Sequence, residues 1–218
     1  MLGDRTEDEN CSDELKINFT TTPKGNKDQP ASYEDKKHHT WNLTNQLDLH
    51  TFMNETTLDF EEGGHIEARC DEEDKSREAR VGYKIVQKSK KKNLVYLLTV
   101  KMNGKEKILK GGKCKGELSK RTYSAGTQES WTTKGSPSPT NYIYSQIFRS
   151  CMENNIELKF YIYSAPLIRV SYPKSEGGEG YVEISPYEEI EKDLNAHLVK
   201  SLGRKPIGEG DLENPYKG

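Results

Sequence analysis

Apolar and polar positions alternate along most of this chain, the period-two pattern of strands that bury one face. Leu15, Ile17 and Phe19 alternate with Lys16 and Asn18; Trp41 and Leu43 flank Asn42; Leu47, Leu49, Thr51 and Met53 lead to Asn54. Each stretch predicts a strand. Ile66, Ala68 and Cys70 share one face of a strand over 63–70, ended by the acidic run Asp71 to Asp74, and Val81, Tyr83 and Ile85 mark another. The sharpest local signal is Leu94 to Met102, then Asn103-Gly104, then Lys105 to Lys110. Asn-Gly between strand-like runs suits a two-residue hairpin turn with positive φ at both positions, and that register sets Lys101 opposite Glu106. Further strands are predicted over 156–163, 167–172 and 181–184.

Two segments change period. Ile143, Ile147 and Cys151 recur at helical spacing and stop at Asn154-Asn155. Ser185-Pro186-Tyr187-Glu188 reads as an N-cap serine, a first-turn proline and a capping-box glutamate; Ile190, Leu194 and Leu198 follow as a buried stripe, Glu188 can pair with Lys192, and Gly203 ends the helix. The order predicts a mainly β protein with two helices. The expected architecture is an antiparallel β-barrel or β-sandwich with helices packed outside, including a C-terminal helix. Residues 1–12 read as a flexible N-terminal tail, 13–203 as one β-rich domain and 204–218 as a flexible C-terminal tail.

Apolar residues make up only 32% of the chain against 31% charged, so the core must be economical and the surface densely charged. Met1 to Asp8 holds no apolar run of signal-peptide type, and Leu94 to Val100 is far shorter than the ~20 residues a spanning helix needs. No membrane insertion is expected. Four glycosylation triplets begin at Asn10, Asn18, Asn42 and Asn54, and none follows. With the even set Cys11, Cys70, Cys114 and Cys151, which has no C-x-x-C spacing, they point to a secreted, extracellular glycoprotein with two disulfide bonds.

Charge is segregated: residues 1–76 carry a net −11, residues 77–121 a net +12 and the remainder −3. The basic stretch suits an anionic partner such as a sulfated glycan, while the plainer reading folds the acidic third over it. Without an RNP, zinc-finger or helix-turn-helix pattern, no nucleic-acid partner is expected.

Enzyme signatures fail on residue type or spacing. Gly111-Gly112-Lys113-Cys114-Lys115-Gly116 has P-loop glycines, but Glu117-Leu118 stands where Lys-Ser/Thr would be needed, so the segment reads as a hairpin exit. His38 and His39 beside Glu34 and Asp35 offer metal-ligand chemistry, yet neighbouring strand residues face opposite ways. No catalytic, cofactor or metal site is assigned. The candidate partner-binding residues are Lys88, Lys90, Lys91, Lys92, Lys105, Lys107, Tyr161 and Tyr163; cross-strand packing also explains the two tyrosines. The expectation is a secreted, glycosylated, non-enzymatic binding protein, a host-directed immunomodulator sequestering an extracellular protein or a sulfated glycan. The alternative is a lipocalin-like carrier of a small amphiphile in a barrel cavity.

Overall fold

The computed structural model describes residues 15–21, 37–69, 82–118, 147–148 and 150–208. Nine strands are described: β1 Lys16–Thr21, β2 Lys37–Asn42, β3 Glu61–Arg69, β4 Gly82–Gln87, β5 Leu94–Met102, β6 Lys105–Cys114, β7 Glu157–Ser164, β8 Ile168–Pro173 and β9 Glu179–Ile184. Helix α1 spans Leu49–Glu55, α2 comprises the helical residues 147–148 and 150–153, and α3 spans Tyr187–Leu202. The strands form a five-stranded antiparallel sheet of order β4-β3-β7-β5-β6 and two antiparallel pairs, β1-β2 and β8-β9. Among the described residues the main sheet is open, with β4 and β6 as edges. The expected barrel is therefore corrected, and with it the closed cavity of a carrier.

β5 is the centre of the fold because it is apolar on both faces: Leu94 through Val100 are all buried. Leu94, Tyr96, Leu98 and Val100 join Leu109, Leu158, Phe160 and Ile162 in a core closed by Ile17, Phe19 and Trp41 of the β1-β2 pair and by Ile147, Phe148 and Cys151. Tyr96 meets Phe160 edge-on at 5.5 Å, and Phe19 meets Trp41 likewise at 5.1 Å. On the opposite face Val95, Leu97 and Ile108 pack under Leu49 and Phe52 of α1 and Leu194 and Leu198 of α3. The helices thus lie outside the sheet, as their apolar stripes require.

The β5-β6 hairpin has the predicted register, Lys101 opposite Glu106, and Asn103 and Gly104 take φ of 50° and 74°. Asn18, Asn42 and Asn54 are exposed; Asn10 lies outside the described residues. Asn54 sits on α1, because 49–55 is a helix rather than the expected strand. The deciding signal is Asp48, whose side chain accepts from the Thr51 amide at 3.1 Å and caps the first turn. Helical spacing then buries Leu49 and Phe52 together.

The start of α3 also differs. Pro186 occupies the N-cap position without a side-chain cap bond, and the Ser185 hydroxyl is buried with no partner. The reciprocal capping bond is lost because Glu188 is engaged by Tyr187 and Lys113, and Lys192 bonds Glu189 at 2.7 Å instead. Gly203 ends the helix at φ 69° as expected. Beyond it, the stretch read as a tail from 204 includes buried Pro206 and Gly208, the latter donating to the Leu109 carbonyl at 2.8 Å.

The expected disulfides are corrected at both described cysteines. Cys151 is a buried free thiol filling the core beneath the sheet, where burial pushes its pKa up to about 12. The Cys114 thiol lies 3.4 Å from the Gly116 carbonyl and 3.6 Å from that of Glu117. Cys11 and Cys70 lie outside the described residues.

Candidate functional site

Gly111 and Gly112 place two residues without side chains inside β6, and each makes room for something larger. Gly112 receives the Tyr96 ring on one face. Gly111 receives Asn195, Leu194 and Leu198 on the other, so α3 lies directly on the strand. That close approach brings the first turns of α3 over Lys113.

There the side chains converge. The Lys113 ammonium stands 3.6 Å from Glu191 Oε2 and 3.8 Å from Glu188 Oε1. Asn195 donates from Nδ2 to the other Glu191 oxygen at 3.2 Å, so this carboxylate is oriented from both sides; it is 19% exposed. Tyr187 donates to Glu188 at 3.3 Å. Its phenol pKa is raised by burial and by the charge and bond of Glu188, against the opposing pull of Lys113, so it stays protonated at neutral pH. A held carboxylate, a cation and a neutral phenol within one helical turn can accept a proton, balance developing negative charge and donate a proton.

A second polar network lies on the same sheet face, over β3, β7, β5 and β6. Glu106 accepts from Thr99 at 2.6 Å and from Tyr161 at 3.2 Å. Lys159 lies 3.3 Å from Glu157 and 3.9 Å from Glu62, and Glu62 also bonds Lys88, which chiefly holds its carboxyl below the usual range. Burial works against charge on Lys159, but its glutamates prevail and raise its pKa. Burial first, and then Glu106, raise that of Tyr161. Three carboxylates here share two lysines and two hydroxyl donors, so each charged group has a partner, which is what a structural network in a half-buried sheet face requires.

The candidate partner-binding residues do not form one surface. Lys88 and Lys91 pair with Glu62 and Glu61, the latter at 2.8 Å, while exposed Lys90 and Lys92 stand in the same β4-β5 connection. Lys105 lies at the far tip of the β5-β6 hairpin, about 25–30 Å away along β5 at ~3.3 Å per residue. Lys107 is 3.9 Å from Asp48, Tyr161 belongs to the Glu106 network, and Tyr163 packs on Phe60. His38 is exposed, whereas His39 stacks on Phe19 at 5.0 Å. Glu34 and Asp35 lie outside the described residues, and among the described ones no three His, Cys, Asp or Glu side chains converge on a metal position. Lys113, Glu188 and Glu191 were missed by the sequence reading. The available signal was the glycine pair inside a strand, which marks close approach of another element.

No known protein family and no curated protein matches the chain. Solved structures resemble it, two of which follow. Restriction endonuclease HPY188I in complex with product DNA is 22% identical over 78% of this chain and 89% of that one, with a TM-score of 0.39. A mutant of bacteriophage T4 EndoII is 17% identical over 72% and 97%, with a TM-score of 0.42. Both are nucleases, and the first holds DNA, which stands against the expected non-enzymatic immunomodulator or carrier without a nucleic-acid partner. TM-scores this low assign no activity or site to the chain, so its chemistry rests on its own residues.

Proposed function

We propose that this chain is a nuclease that cleaves the phosphodiester backbone of DNA at the β6-α3 site. The observation that carries the reading is Glu191, held between Lys113 and Asn195, with the neutral Tyr187 phenol one turn away. Exposed Lys92 and Lys115 stand at the same end of the β5-β6 ladder as Lys113 and support a polyanionic substrate, because backbone affinity comes mainly from neutralised phosphates. In this reading Glu191 takes a proton from the attacking water as the new P–O bond forms. Lys113 balances the negative charge that grows on the phosphoryl oxygens. The scissile P–O bond then breaks, and Tyr187 supplies the proton to the leaving alkoxide.

The test is cleavage of supercoiled plasmid and of end-labelled duplex by the full chain, in Mg²⁺ and in EDTA. Glu191→Gln should lower the single-turnover rate by about 10²–10⁴-fold while duplex binding persists, the range for loss of a general base. Lys113→Ala should weaken both cleavage and the salt dependence of binding. Wild-type protein that binds no duplex, or a Glu191→Gln protein that cuts at the wild-type rate, would refute the proposal.

A further inference from the structure

The β8-β9 ribbon is sorted into two unlike faces. Ile168, Val170 and Tyr172 of β8 lie on one face with Val182 and Ile184 of β9, because Ile168 pairs with Ile184, Val170 with Val182 and Tyr172 with Gly180. All five side chains are between 40% and 50% exposed. The other face is polar and internally paired: Arg169 stands opposite Glu183, its guanidinium lies 3.9 Å from the Tyr181 ring centre, and Tyr181 donates to Glu179 at 3.2 Å. Neither strand belongs to the five-stranded sheet. A lone two-stranded ribbon is marginal in water, and alternation this clean is the pattern of a sheet whose apolar face is covered.

We propose that a second copy of this chain covers it, ribbon face against ribbon face about a two-fold axis. The face matches itself: isoleucine stands across from isoleucine and valine across from valine, so a copy turned by half a revolution presents the same β-branched side chains in the same order. It carries no charge, which leaves nothing to hold phosphate and nothing to repel a copy. The five exposed side chains offer about 450 Å² per copy, or about 900 Å² in total, just under the ~1,000 Å² a stable interface needs and within the range of weak, transient ones. A contact of that size makes a weak dimer that forms and dissociates with protein concentration. The ribbon joins β7 to α3, so pairing of two ribbons would also fix the separation of two β6-α3 sites. The proposal stands independently of what those sites do.

Sedimentation equilibrium of the full chain over about 1–100 µM tests it. The wild type should move from monomer to dimer, Val170→Asp should raise the Kd about a hundredfold or more, and Ser171→Asp on the opposite face should leave it unchanged. A wild type that stays monomeric throughout, or a Val170→Asp protein that dimerises as well as the wild type, overturns the proposal. Radical footprinting of unmutated protein tests it without a variant: oxidation of Tyr172 should fall as concentration rises. Protection already complete in the monomer would mean that the chain covers its own ribbon, and would equally refute it.

Discussion

Replacing Gly111 by alanine tests whether the close seating of α3 on β6 builds the site. Gly111 needs no left-handed backbone, so the substitution acts through space alone. A Cβ there would overlap Asn195 Oδ1 and come within 3.2 Å of Leu198 and 3.3 Å of Leu194. Overpacking of this kind costs about 1–3 kcal/mol, and swinging Asn195 away gives up its bond to Glu191, about 1 kcal/mol more. Restricting the unfolded chain offsets about 0.4–1 kcal/mol. The net loss is about 2 kcal/mol, a fall in Tm of about 4–8 °C for a chain of this length. Thermal and urea unfolding of Gly111→Ala, Asn195→Ala and the double variant measure it. Because alanine at 195 vacates the overlapped volume, the double variant should recover about 1 kcal/mol relative to additivity. Additive losses, or a Gly111→Ala protein as stable as the wild type, would refute the close-contact argument. If the site works as proposed, Gly111→Ala also slows cleavage at temperatures where it is fully folded, since Asn195 no longer orients Glu191.

Two further predictions concern stability. Asp48→Ala removes the cap of α1 and should cost about 1 kcal/mol in urea unfolding, while Asp48→Asn, which keeps an acceptor, should cost little; equal losses would exclude capping as the cause. The Cys151 thiol keeps its proton to about 12 when folded but ionises near the ordinary 9.0 when unfolded, so the unfolded state loses the proton first. Its contribution is intact below pH 9 and is lost as pH rises toward 12, at up to about 1.4 kcal/mol per pH unit. Cys151→Ala should remove that part of the slope, and an unchanged slope from pH 9 to 11 would refute the assignment.

Where a local rule acted alone, the fold was legible. Asn103-Gly104 dictates its turn because few other pairs accept positive φ twice, and the register of β5 on β6 follows from it. The segment 47–53 misled because Leu47, Leu49 and Met53 satisfy alternation while Leu49 and Phe52 satisfy helical spacing; only the Asp48 cap decides between them. The α3 cap was read correctly as a motif and is absent as a structure, since Lys113, more than seventy residues away in sequence, competes for Glu188. Barrel closure was not legible at all. It depends on whether edge strands β4 and β6 meet, and no side-chain pattern within either strand encodes that.

The charge pattern illustrates the same limit at the site. Reading residues 77–121 as one basic surface treats net charge as though it were position, but the fold distributes those lysines to opposite ends of β5 and pairs Lys88, Lys91 and Lys107 with carboxylates. What sets Lys113 apart is not its charge but its place: the two glycines before it let α3 descend onto the strand, and the helix delivers Glu188 and Glu191 to it from the acidic C-terminal part of the chain. Electrostatic complementarity between distant segments therefore operates in this protein, and Asp48, Glu61 and Glu62 of the acidic N-terminal third do pair with Lys107, Lys91 and Lys88 of the basic middle. At Lys113 it is steric permission rather than charge density that selects the partner. A Lys113→Glu, Glu191→Lys exchange separates the two effects. If position governs, the swapped pair should restore most of the stability lost in either single charge reversal, yet leave cleavage lost because the carboxylate no longer has Asn195 behind it; full recovery of cleavage would show that net charge alone suffices.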